Sequence, residues 1–187
     1  MIAFLLAALI AAPRAPRTSP APQPPVQEQL SDAELRERVD TYLGTIDRPI
    51  SSDRWKALGP RAAPILEAVI ADEGQFPSRR AKAVDGLVAA APDRAAPLVG
   101  KLARDEKQPS VVRVAAIHGA GQVLPSSKAV TELRPVLRSA KSTGMRVQAA
   151  EVLARKQGGC AEVRGQVARE QAEHRDAFAR AMKQCQQ

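Results

Sequence analysis

His118 is the residue best placed, by type and register, to do chemistry. Asp85 and Glu151 stand at equal intervals before and after it. An acid–histidine–acid series up one surface could relay a proton or hold a metal ion. Adjacent layers of packed helices lie roughly 10 Å apart, however, so the three could not share one ion. A solvated or ion-paired stripe is expected instead. Arg80, Arg113 and Arg146 keep the same interval. Stacked guanidinium groups could bind phosphates. Acids at Asp72, Glu73, Asp105 and Glu106 fall just before two of these arginines and predict charge-assisted bonds inside the fold, hence a structural ladder.

The remaining chemistry-bearing residues form no recognisable site. Ser126, Ser127, Ser139 and Ser142 have no nucleophile-elbow context and no paired histidine. No strand leads into a glycine-rich phosphate loop. The two cysteines, Cys160 and Cys185, and the two histidines, His118 and His174, match no zinc spacing. Beyond the apolar front end the aromatics are Tyr42, Trp55, Phe76 and Phe178, too few for a base- or sugar-stacking platform. The reading is therefore of a non-enzyme, with no cofactor and no metal.

The elements that position these residues follow from composition. The chain of 187 residues is rich in Ala and only 3% aromatic. Ala favours helix because it loses no side-chain entropy there, and no segment alternates β-branched residues with period two. An all-α fold is predicted. The net charge of +8 invites a polyanion-binding role. Arg outnumbers Lys 20 to 8, as under GC-rich coding, and acids are interleaved throughout, so no nucleic-acid partner is expected.

The front end reads differently. Met1 to Ala12 is an uninterrupted apolar run of secretory h-region length, too short for a stable membrane span. Residues 1–15 are read as a signal peptide or short apolar segment, although no basic residue precedes the run and prolines crowd the cleavage region. A mis-called start codon or an uncleaved weak anchor is the competing account. Residues 16–30 continue a proline-rich stretch that cannot form helix and reads as an extended spacer linker.

Residues 31–187 carry an internal repeat. Arg61-Ala62-Ala63-Pro64-Ile65 returns as Arg94-Ala95-Ala96-Pro97-Leu98. The arginine ladder holds the same period, and with it travel Ala81, Val114 and Val147, then Ala83, Ala116 and Ala149. A period of about 33 residues in helical sequence means stacked helix pairs. Pro77, Pro92 and Pro109 open helices, and Asp93 and Ser127 read as N-caps. Leu98 with Leu102, and Leu133 with Leu137, mark the core face of second helices. The small residues at 83, 116 and 149 permit close helix approach. Ser31 and Glu34 form a capping box that opens a capping helix over 31–44, with Trp55 and Leu58 covering the first hairpin of repeats spanning about 50–158.

The motifs Val112-Arg113-Val114-Ala115-Ala116 and Met145 to Leu153 resemble bacterial HEAT repeats of the phycobilisome-lyase type, over roughly Pro60 to Gln157. The resemblance implies a short right-handed α-solenoid of HEAT-like hairpins with helical caps at both ends. It also implies a scaffold that holds another protein on a curved face. A minority of the family are bilin lyases, and related repeat proteins excise bases from DNA. No motif specific to either activity is present, and the family's glycine after the first helix is matched only loosely, by Gly119 and Gly121.

The expected function is a non-enzymatic, monomeric scaffold for an unidentified protein partner, exported to the cell envelope or beyond. Its contact surface is placed on the second helices at Lys101, Arg104, Glu132, Arg134 and Arg138. The alternative is a cytoplasmic DNA-binding or base-excising repeat protein, for which Trp55 with Asp53 would have to serve. The C-terminal segment 159–187 holds two short apolar stripes split by Ala168 to Asp176. One continuous helix would hold Cys160 and Cys185 about 37 Å apart at 1.5 Å per residue. A turn near Gln171 brings them together, predicting a disulfide-clamped cap and an oxidising compartment.

Overall fold

The computed structural model describes residues 30–46 and 49–186. The apolar run and the linker lie outside the described residues. Those described form an all-helical fold without strands.

The first helix, α1 (Asp32–Gly44), begins at the expected capping box. The Ser31 N–H donates to Glu34 Oε2 at 2.8 Å, and the Glu34 N–H donates back to Ser31 Oγ at 3.3 Å. Leu35, Val39 and Leu43 are its buried face. A short α2 (Ser52–Leu58) buries Trp55, and a 3-10 turn leads into α3 (Ala63–Ala71). The following pairs are α4 (Pro77–Ala90) with α5 (Pro92–Arg104), α6 (Ser110–Val123) with α7 (Ser126–Ser139), and α8 (Thr143–Leu153) with α9 (Gly159–Val167). Two short helices close the chain, α10 (Ala172–Arg175) and α11 (Ala179–Gln184).

Helix starts depend on proline more than on side-chain caps. Pro77 and Pro92 occupy first-turn positions of α4 and α5, where a missing N–H costs nothing. Asp93 and Ser127 are not N-caps: those positions are Ala91 and Pro125, and neither helix has a side-chain cap. Both caps lie two residues ahead of the expected position, Ala91 directly before Pro92 and Pro125 a proline itself.

The turns themselves repeat. The Asp72 carboxylate accepts the Gly74 N–H and the Gln75 amide, both at 2.9 Å, and the Asp105 carboxylate accepts the Lys107 N–H and the Gln108 amide, both at 3.0 Å. These bonds stop α3 and α5 and turn the chain into the next helix. Ala140-Lys141-Ser142 lacks this Asp–Gln pair, and α7 runs on to Ser139 before a shorter turn.

Helices pack on their next-but-one neighbours. α2, α4, α6 and α8 follow one another in contact, as do α5, α7 and α9, while α3, α5 and α7 each pack on the helix after them. Ala83, Ala116 and Ala149 are fully buried between these helices. α1 lies on α3 and α4, and α11 lies on α8 and α9. Gly119 and Gly121 sit inside α6 rather than in a loop, where they admit neighbouring side chains.

Cys160 and Cys185 are joined by a disulfide, with Cα atoms 5.4 Å apart across 25 residues. The chain leaves α9 at Val167 and restarts at Gln171, the N-cap of α10. Phe178, Val163 and Ala181 are buried in this cap, which gives it an apolar interior as well as a covalent tie.

Candidate binding surface on the second helices

The repeat arginines are structural, though not through the loop acids. Arg80 Nε donates to the Ile70 carbonyl at 2.9 Å, and Arg113 Nε to the Ala103 carbonyl at 3.1 Å. Each guanidinium thus satisfies a carbonyl at the C-terminal end of the preceding helix, where cations are favoured. The acids Asp72 and Asp105 are taken instead by the turns. Their carboxyls lie below the ordinary 3.8, first through the Gln75 or Gln108 amide and then through the turn N–H. Arg80 also donates to Gln108 Oε1 at 2.7 Å, so the turn after α5 is tied to the first turn of α4. Aligning Gln75 with Gln108, one repeat period apart, marks both as turn residues but does not show that Gln108 meets Arg80.

Arg146 makes a different set. Its Nε and an Nη reach the Glu170 carboxylate at 2.6 and 2.8 Å, and the other Nη donates to the Ala140 carbonyl at 2.8 Å. Glu170 comes from the C-terminal cap and is itself buried. The Arg146 bond holds the Glu170 carboxyl below its ordinary 4.5, against desolvation, with Gln166 assisting.

Four of the five surface candidates are tied into ion pairs between second helices. Arg104 of α5 pairs with Glu132 of α7. Arg134 and Arg138 of α7 bracket Glu162 of α9 at 3.0 and 2.8 Å. Desolvation raises the Glu162 carboxyl, but the two arginines outweigh it and leave it below the ordinary 4.5. Glu132 lies across α5 because position 100 is glycine: a Cβ there would overlap the Glu132 carboxylate. Lys101 is the fifth candidate, exposed and without an ion-pair partner among the described residues.

Lys101 lines a groove of about 460 Å³ between α3 and α5. Its floor is Ile70, Leu98 and Leu102, and the Glu67–Arg94 pair, at 2.5 and 2.9 Å, crosses it. The volume falls in the range of ligand-binding clefts. A smaller cavity of about 170 Å³ occupies the equivalent place between α5 and α7, with Arg113, Glu106, Pro135 and Ser139 in its wall.

Two of the His118 series, His118 and Glu151, line one cavity, and Asp85 is not in its wall. His118 Nε2 lies 2.7 Å from Gln148 Oε1, and Glu151 pairs with Arg180 at 3.6 Å. Desolvation raises the Asp85 carboxyl above 3.8, opposed by charge on His118. Asp85 is nevertheless exposed, so water screens the effect. Among the described residues no cluster of three metal-ligating side chains occurs. Trp55 is buried, stacked edge-on against Tyr42 at 5.1 Å, while Asp53 points into solvent.

No family model, curated protein or solved structure matches the chain.

Proposed function

We propose that the chain is a short right-handed α-solenoid of HEAT-like hairpins, and that it acts as a non-enzymatic scaffold for another protein. The α3–α5 groove carries this reading. It combines an apolar floor with a charged rim and Lys101, unpaired among the described residues, on second helices, the mixture from which interface cores and rims are made. The regular next-but-one packing of helices and the repeated Asp–Gln turn support the solenoid. Export to the envelope or beyond is part of the proposal. The Cys160–Cys185 disulfide supports it, because such bonds persist in oxidising compartments, and no described helix is long and apolar enough to cross a membrane.

The test is site-directed photo-crosslinking in the native host. A photoreactive residue at Lys101 should yield one discrete protein adduct, recovered from the envelope or medium, and the same residue at Glu37 of α1 should not. No adduct at Lys101, or equal adducts at both positions, would overturn the scaffold reading. Recovery of the protein in the cytoplasm would overturn the export.

A further inference from the structure

We propose that Arg113, at the base of the cavity between α5 and α7, is a subsite for an Asp or Glu carboxylate presented by a protein partner. This deepens the scaffold reading and rests on it. Three equivalent arginines differ in what their outer nitrogens meet. In Arg80 an Nη is bonded to Gln108 Oε1. In Arg146 the fork grips Glu170 through two bonds. In Arg113 only Nε is bonded, to the Ala103 carbonyl, and neither Nη has a partner among the described residues. Position 141, where the repeat would place the next counterpart of Gln108, is a lysine.

Arg113 is only 9% exposed. Its two Nη atoms are unbonded among the described residues yet not sealed from solvent, and Arg113 lines the 170 Å³ cavity through which a partner's side chain could reach them. That volume is below the range of small-molecule clefts and suits one side chain. The chemistry of the occupant is set by the third repeat. There the same arginine takes a carboxylate in the bidentate geometry that the planar fork favours. Of the other charges at the cavity, Arg104 is held by Glu132. Asp105 is turned into its own loop bonds. Glu106 is exposed at the lip, where water and salt screen it. Pro135 and Val136 supply an apolar wall for the methylene groups of the entering side chain.

The experiment is an NMR titration of the full-chain protein, following the Arg113 Nε–H signal, with N-acetylglutamate N-methylamide as probe. Blocked glutamine and inorganic phosphate at matched ionic strength are the controls. Blocked glutamate should move the signal saturably, and the controls should not. Ser139→Leu, which fills the cavity in front of Arg113, should weaken the response at least tenfold while Tm is retained. Arg113→Lys, if folded, should abolish the response on neighbouring amides of Val136 and Ala140. No saturable movement, an equal response to phosphate, or an unchanged response in Ser139→Leu would overturn the subsite. The crosslink from Lys101 would be untouched by any of these results, so the scaffold reading and the subsite fail separately.

Discussion

Val88 of α4 lies directly over Gly119 of α6: a Cβ built at 119 would sit 2.7 Å from Val88 Cγ2. The contact recurs between α2 and α4 and between α6 and α8, the second time with the partners exchanged. Trp55 lies over Gly86, where a Cβ would meet Cε3 at 3.0 Å, and Val152 lies over Gly121, where a Cβ would meet Cγ1 at 2.6 Å. The three pairs, 55/86, 88/119 and 121/152, follow one another at the repeat period, and each holds one glycine and one larger side chain. Two large partners would force the helices apart, and interiors packed at crystal density have little slack for that.

Gly119→Ala is therefore expected to destabilise the fold by about 1–3 kcal/mol, because the β-branched Val88 cannot rotate away freely. In a Val88→Ala background most of that cost should vanish, a coupling that a double-mutant cycle in urea would measure. Gly165→Ala in α9, where a Cβ meets nothing within 4 Å, should be neutral or stabilise by up to about 1 kcal/mol. Equal costs at 119 and 165 would contradict the close approach.

Ala116 is fully buried with its repeat equivalents Ala83 and Ala149. Ala116→Leu should cost about 1–3 kcal/mol by overpacking. An unchanged Tm would place position 116 outside the helix contact.

Glu170 sets an acid limit on the C-terminal cap. Its folded carboxyl is held below 4.5 by Arg146, so its contribution is fully present above that value. It is lost as pH falls through the depressed folded value. Glu170→Ala should cost about 3 kcal/mol at neutral pH, since it leaves Arg146 partly uncompensated. The variant should also show a shallower loss of stability below pH 4.5. Parallel pH profiles for the two proteins would refute the linkage.

Reduction of the disulfide should lower stability by roughly 3 kcal/mol in the chain-entropy model. Denatured protein from its native compartment should show no free thiol before reduction and two after it. Two titratable thiols in the unreduced sample would remove both the clamp and the support it lends to export.

His118→Ala should change stability by less than about 0.5 kcal/mol, as for an exposed position whose one side-chain bond among the described residues is to Gln148. Binding at the Lys101 groove should be unaffected. A large loss of either, read by melting and by crosslink yield, would give His118 a role beyond its surface stripe.

Much of this molecule is written locally and therefore legible in the chain. The capping box at Ser31 and Glu34 depends on two residues three apart. The helical content depends on Ala, and the spacing of Arg80 and Arg113 depends on a repeat that any self-comparison reveals. The disulfide was also legible, because the apolar stripes around Val163 and Phe178 are incompatible with one straight helix. Partners of long side chains were not. An arginine can reach a loop acid, a helix-end carbonyl or a neighbouring turn with equal ease. Only the packing of helix on helix decided that Arg80 meets Ile70 and Gln108, that Arg146 meets Glu170, and that Arg104, Arg134 and Arg138 join α5, α7 and α9. The same holds for glycine. Its type announces freedom of backbone, but whether Gly119 serves a turn or a close approach depends on which side chain lies above it. That is set by the distance between helices far apart in the chain.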